Sequence, residues 1–218
     1  AILGIIIGSS SCLVFFLYNI LKQKKKLRIL IISTVFFSFC FSTIFFAQNL
    51  PRDHQEKNIQ DFQFTIPTEL IDPHRQFMWG FSIKKIKIKP LFGYGQDTSN
   101  FIKGSQKEIG SPYTGDMNFI SSHPHNFIIE LLLETGFLGL VSFFFFIFII
   151  NYKVWKITKC TTSRLYLIFF NGYFWSTSLV NFSFWLGWWQ ASYYLILAFI
   201  AIKIKVNLFK NTSEKEIK

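Results

Sequence analysis

The 218-residue chain is half hydrophobic and one-fifth aromatic, with a formal net charge of +11. Several of its apolar runs reach or exceed the ~18 residues that separate a membrane span from a buried core helix, which predicts an all-α, polytopic integral membrane protein and excludes an ordinary soluble domain. The basic excess is spread over short loops and not gathered on one soluble face, which argues against nucleic-acid binding.

The sequence opens at Ala1 inside an apolar run and reads as the later part of a longer protein. Residues 2–21 form a predicted first span, closed by Lys22, Lys24, Lys25, Lys26 and Arg28, and residues 29–50 a second. Together 1–50 make two spans with a basic loop. Residues 51–126 form a polar segment of 76 residues, too long for an ordinary connector and therefore expected to be functional. Three further spans are predicted within 127–206. Residues 127–150 are the third, followed by a loop with Lys153, Lys156, Lys159 and Arg164; residues 165–202 are too long for one helix and are expected to turn at 181–190, around Trp185, Gly187, Trp188 and Trp189. Residues 207–218 are a basic tail. Cys12, Cys40 and Cys160 all lie in or beside apolar runs, so no disulfide framework or C-x-x-C metal site is predicted.

In this topology the two short loops and the tail, with 14 of the 23 Lys and Arg, all fall on one side, which the positive-inside rule makes cytoplasmic. The long segment has nine basic and eight acidic residues and belongs on the outer face.

Within it, residues 75–90 interleave Phe77, Met78, Phe81, Ile83, Ile86 and Ile88 with Lys84, Lys85, Lys87 and Lys89. This fits an amphipathic helix in the headgroup layer, although 83–89 also alternates as a short strand would. Pro90 and Gly93-Tyr94-Gly95 end it with a tight turn or a close backbone approach to a ligand.

Ser121-Ser122-His123-Pro124-His125-Asn126 sits where the polar segment meets the third span. Pro124 suits a first helical turn, with His123 or Ser122 as cap and His125 and Asn126 on the opening turn, where an anionic ligand is favoured. Two other readings stand beside this one: histidines that only cap a helix, and a His-x-His metal site, for which no third ligand has a telling spacing. Glu130 and Glu134 share one helical face below Asn126, and ionisable groups at that depth require a partner or a wet cavity, so a polar cavity is expected there. Gly136 and Gly139 are expected to let a neighbouring helix pack closely.

The run from His123 to Leu140, His-Pro-His-Asn-Phe-Ile-Ile-Glu-Leu-Leu-Leu-Glu-Thr-Gly-Phe-Leu-Gly-Leu, resembles the signature of the O-antigen ligase and polymerase superfamily of bacterial envelope glycan enzymes. Upstream, Arg75 and Trp79 followed by Pro90-Leu-Phe-Gly-Tyr-Gly95 is similar to the family's arginine, surface helix and Pro-Leu-x-Gly-x-Gly turn; the match covers about residues 70–145. The resemblance implies a helical inner-membrane protein of about twelve spans, similar to GT-C glycosyltransferases. This chain would supply the last five spans and an outer, periplasmic active site. It further implies transfer of a glycan from undecaprenyl diphosphate to a hydroxyl acceptor, the lipid A core in ligases or another lipid-linked repeat in polymerases, with no metal and no nucleotide sugar.

Under that reading His125 is the general base, since an imidazole can take a hydroxyl proton near neutral pH. Arg75 clamps the departing diphosphate with a permanently charged fork. His123 and Asn126 orient the base or acceptor, Gly93 and Gly95 belong to the substrate-binding turn, and the lysines draw in anionic lipid. The family's second outer-face arginine, from an earlier loop, has no counterpart in this sequence unless Arg52 folds back. An alternative of another class is a glycan transporter with Glu130 and Glu134 on its path, which broken helices around Glu134 with a distant Arg75 would favour.

Overall fold

A computed structural model describes residues 2–20, 25–51, 64–158, 160–180 and 182–216. The described chain is all-helical: α1 (Ile2–Ile20), α2 (Lys25–Asn49), α3 (Pro73–Ile88), a 3-10 turn (Ser99–Phe101), α4 (Phe127–Ile157), α5 (Thr161–Thr177) and α6 (Gly187–Glu216). Among the described residues there is no strand, only an isolated antiparallel bridge between Glu108 and Asn118. Helices occupy all five predicted spans. By length and hydropathy α1 and α4 are long enough and apolar enough to cross a membrane, and Gly187–Ile202 is a shorter apolar stretch of α6. Arg52 and His54 lie outside the described residues.

The chain divides into two compact units, one of residues 1–23 with 142–218 and one of residues 24–141. In the first, α1 packs on α5 and α5 on α6. The α1–α5 contact is close because Gly172 lies against Gly8: a Cβ on Gly172 would come within 3.0 Å of the Gly8 backbone. Ile147, Val154, Leu167, Phe174, Tyr193 and Leu197 form the core. Within that core the Tyr193 hydroxyl donates to Asn171 Oδ1 (2.8 Å), Asn171 Nδ2 to Asn151 Oδ1 (2.8 Å) and Asn151 Nδ2 back to Tyr193 (2.7 Å). One polar group from each of α4, α5 and α6 thus closes a ring in which every member donates and accepts. The α5–α6 turn falls at 178–186, starting three residues and ending four residues earlier than expected, because Trp188 and Trp189 already belong to α6. The Trp189 indole donates to Ser178 Oγ at 2.9 Å and stacks on Phe174 at 4.4 Å. Helix α6 continues to Glu216, through most of the segment expected as a tail.

In the second unit, α3 resolves the helix-or-strand ambiguity in favour of the helix. Its polarity, however, changes along the axis more than around it. Residues 76–82 are buried on every side, including Phe77, Met78 and Phe81, which were expected to face lipid; Lys84, Lys87 and Ile88 in the last two turns are exposed. Phe81 stacks on Phe119 at 5.1 Å, so the apolar residues of the first half face protein. The loop from 102 to 120 folds over this half with Ile102, Ile109, Phe119 and Ile120 buried.

Candidate functional site

Helix α3 starts cleanly. Asp72 caps it, its side chain accepting from the amides of His74 (2.9 Å) and Arg75 (3.3 Å), and Pro73 at the first position has no N–H to satisfy. Buried Gln76 ties the incoming chain down by donating to the carbonyls of Ile66 and Ile71. The His74 ring meets the Asn118 carbonyl at 2.8 Å. Arg75 is half-buried on the first turn, and one turn further, on the same face, buried Trp79 donates its indole N–H to the Pro124 carbonyl at 2.7 Å. The helix carrying the arginine is therefore bonded to the middle of His-Pro-His.

The histidine loop differs from expectation in its cap. Asn126, not His123 or Ser122, caps α4: its Oδ1 accepts from the amides of Ile128 and Ile129, each at 3.1 Å, and its carbonyl takes the Glu130 amide at 2.9 Å. Asparagine is among the strongest N-caps and histidine is not, and a cap at 126 leaves His125 outside the helix. His125 has a left-handed backbone, φ 52°, unusual for a residue with a Cβ. Its amide donates to His123 Nδ1 at 3.3 Å, and the two rings lie 4.0 Å apart, centroid to centroid, tilted by 57°. Burial pushes His123 down to about 4 from the usual 6.5, the neighbouring His125 adding to the effect and Asp97 opposing it. His123 is then neutral at pH 7, with Nδ1 as acceptor and the proton on Nε2.

At its tenth residue α4 breaks. Gly136 has φ 68° and ψ −170°, far from helical values. In a continuous helix the amides of Phe137 and Leu138 would reach the carbonyls of Leu133 and Glu134. Here those four groups turn instead to residues 90–95. Tyr94 N donates to Leu133 O (3.0 Å), Gly95 N to Glu134 O (2.8 Å), Phe137 N to Pro90 O (2.8 Å) and Leu138 N to Leu91 O (3.3 Å). The turn is spliced into the gap and satisfies both of its lips. A Cβ on Gly136 would lie under 3.0 Å from the Leu91 backbone, and one on Gly93 (φ 67°) under 3.0 Å from the backbone of Leu133 and Glu134. The close approach that these glycines permit is thus to α4 itself. Gly136 admits a turn where a neighbouring helix was expected, and Gly95 contributes its amide.

Glu134, 1% exposed, finds its partners in the protein itself. Its carboxylate accepts from the Asp97 amide (2.6 Å), the Ser99 amide (3.1 Å) and the Ser99 hydroxyl, so the 95–99 loop covers this face of α4. Glu130 is also fully buried. Asp97 and Ser99 were not legible from the sequence; the nearest signal is the density of turn-forming residues in Gly95-Gln-Asp-Thr-Ser99. Lys85 donates to the Lys103 carbonyl at 2.7 Å and Lys89 lies over the Tyr94 ring at 4.7 Å, so lysines expected to meet lipid also meet protein. Among the described residues no three His, Cys, Asp or Glu side chains gather as a metal-ligand set.

The family model described as O-antigen ligase matches residues 1–144. A protein of Rickettsia felis named "Putative polysaccharide ligase" is 30% identical over 212 residues, covering 94% of this chain and 47% of its own length. Similarly named proteins of Rickettsia typhi and Rickettsia prowazekii are 33% and 30% identical over 141 residues, 62% of this chain and 33% of theirs. The chain therefore spans about half the length, or less, of these relatives. No solved structure matches it.

Proposed function

This chain belongs to the O-antigen ligase family, and from that premise we propose that it forms part of a multi-pass inner-membrane glycosyltransferase with its active site on the periplasmic face. The enzyme moves a glycan from undecaprenyl diphosphate to a hydroxyl acceptor, the lipid A core. His125 removes the acceptor hydroxyl proton as the oxygen attacks the anomeric carbon; the bond from that carbon to the diphosphate breaks, and undecaprenyl diphosphate leaves with the electron pair. Arg75 neutralises the charge growing on the leaving group. Neutral His123 and the Asn126 cap hold the base in place, and Gly93 and Gly95 shape the turn beside the substrate.

The observation that supports this reading best is the buried Trp79–Pro124 bond, because it joins the arginine helix to the histidine loop with no lid or hinge between them. The strained backbone of His125 fits the same role, since such strain concentrates where side chains must be aimed. Although α4 is broken next to Glu134, the gap is filled by residues 90–95 and the carboxylate by Asp97 and Ser99, which favours transferase over transporter.

The test is glycan transfer by the purified full-length protein from a lipid-linked donor. His125→Ala should lower the rate by about 10²-fold or more, the usual contribution of a general base. Arg75→Lys should lose most of the rate too, since an ammonium cannot reproduce the bidentate fork. A wild-type rate in His125→Ala overturns the base assignment. In cells lacking the gene, polymer building up on the carrier while lipid A core stays bare identifies a ligase, and core capped with a single repeat a polymerase.

A further inference from the structure

We infer that the turn filling the gap in α4 is also a membrane-docking surface. Ile88, Leu91 and Phe92, beside Phe137 and Leu138 of α4, enter the outer edge of an anionic phospholipid bilayer, and Lys84 and Lys87 meet its phosphates. The hydrocarbon then begins at the Gly136 break and not at Phe127. The inference rests on the multi-pass membrane reading above but not on the transfer chemistry.

Exposure along α4 changes at the break. None of residues 127–136 is exposed, whereas eight of the twelve residues from 137 to 148 are, seven of them Phe, Leu or Val. So large an apolar surface requires a cover other than water. Length agrees with a bilayer as that cover. As one straight helix the 31 residues of α4 would span about 46 Å, well beyond the ~30 Å hydrocarbon core, while residues 137–157 alone span about 31 Å. The far end of that stretch carries Lys153 and Lys156, whose long side chains reach the opposite headgroups. Starting the span at Phe127 would instead put buried Glu130 and Glu134 inside the hydrocarbon, where acidic groups are expensive.

The turn lies at the level where α4 becomes exposed. Residues 87–92 are all exposed, Ile88 by 64%, Leu91 by 54% and Phe92 by 75%. The amides of Phe137 and Leu138 are bonded to the carbonyls of Pro90 and Leu91, which sets the two exposed apolar stretches side by side. Both belong to the unit of residues 24–141. Charge selects the kind of cover: residues 73–96 contain five Lys and Arg and no Asp or Glu, and exposed Lys84 and Lys87 stand within a turn of Ile88. Anionic headgroups neutralise such cations while acyl chains take the apolar side chains next to them. Lipid therefore meets the last turn of α3 and the residues after it, in place of the Phe77, Met78 and Phe81 face that the sequence suggests.

The test places one nitroxide at a time on the full-length protein, its native cysteines replaced by serine, in nanodiscs of phosphatidylethanolamine and phosphatidylglycerol. Phe92→Cys, Tyr113→Cys and Phe145→Cys carry the label, all at exposed positions. Depth is read from the relative access of oxygen and a water-soluble nickel chelate. The label at 92 should lie at the boundary of headgroups and acyl chains, that at 145 about 12 Å deeper, near the bilayer centre, and that at 113 in water. A label at 92 that prefers nickel overturns the inference, as does one that neither reagent reaches, since protein then covers the turn. A label at 92 near the bilayer centre also overturns it and returns the boundary to Phe127. A label at 145 in water overturns the membrane reading itself, whatever the label at 92 shows. Lys84→Gln combined with Lys87→Gln should lower the phosphatidylglycerol retained by the purified protein by about threefold or more; unchanged retention overturns the headgroup contact.

Discussion

Replacing Gly136 with alanine sets the helix against the turn that interrupts it, and the structure determines which should win. If the break persists, alanine sits at φ 68°, ψ −170°, a region costing about 1–3 kcal/mol for a residue with a Cβ, and that Cβ collides with the backbone of Leu91. If the helix closes, Phe137 and Leu138 recover their bonds to Leu133 and Glu134, two bonds regained for the four lost to residues 90–95. At about 1 kcal/mol per bond the net loss is about 2 kcal/mol, and alanine's advantage over glycine in a helix returns about 1 kcal/mol of it. Closure is the cheaper response.

Gly136→Ala should therefore straighten α4 without unfolding the protein and expel the 90–95 turn, releasing the 95–99 loop from Glu134. Hydrogen exchange read by mass spectrometry should show protection lost at Tyr94 and Gly95 while the helical amides of residues 127–133 stay protected. Transfer should fall at least tenfold. Wild-type protection at residues 94 and 95 would refute the reasoning, because it would mean that the splice tolerates a Cβ where the Leu91 backbone leaves no room for one.

Trp79→Phe deprives the buried Pro124 carbonyl of its donor, a cost of about 1–3 kcal/mol. It should raise exchange across residues 123–126 and lower transfer with the protein still folded; unchanged exchange would show that the indole bond does not hold the loop. Tyr193→Phe opens the ring with Asn151 and Asn171 and should lower stability in detergent by about 1 kcal/mol, seen as a lower unfolding temperature; an unaltered temperature would deny the ring a structural role. The depressed His123 favours the neutral ring in the fold. Its contribution is complete above the unfolded value of 6.5 and is lost as the pH falls towards about 4. Protonation at Nδ1 removes the acceptor for the His125 amide, so the protection factor of that amide, corrected for intrinsic rate, should drop over that interval; a flat profile would contradict the assignment.

What the sequence made legible follows from local pattern. Apolar length located α1, α2 and the start of α4 within a few residues, and the mixed stretch from Phe77 to Ile88 located α3, though not its start at Asp72 and Pro73. The His-Pro-His-Asn stretch and the Pro-Leu-Phe-Gly-Tyr-Gly turn stood out as motifs, but not the reason they occur together. Gly136 looks like any small residue on a packed helix, and nothing near it in sequence announces that residues 90–95, some 40 positions earlier, enter the gap. Glu134 posed the right question, what an acidic group at that depth pairs with; the answer lay in backbone amides of a loop without pattern. Asn126 was overlooked as a cap because Pro124 drew the cap three or four residues too early, to His123 or Ser122.

The splice also changes where the long polar segment ends. Hydropathy places the boundary at 126/127, where polar residues give way to apolar ones, yet the compact unit that holds α3 and the 95–120 loop continues to Val141. The first turns of α4 are tied to that unit at three points: Asn126 beside the Trp79–Pro124 bond, Glu134 beneath Asp97 and Ser99, and the gap at Gly136 filled by Pro90–Gly95. A histidine on an uninterrupted helix would take its position from the whole length of that helix. One on a short stub, fastened once to the helix that carries Arg75 and twice to residues 90–99 that follow it, takes its position from that same segment. Two short motifs separated by a long loop therefore serve one geometric end: four backbone–backbone bonds fill the gap at Gly136, and the side chains of Trp79, Asn126 and Glu134 make the remaining ties.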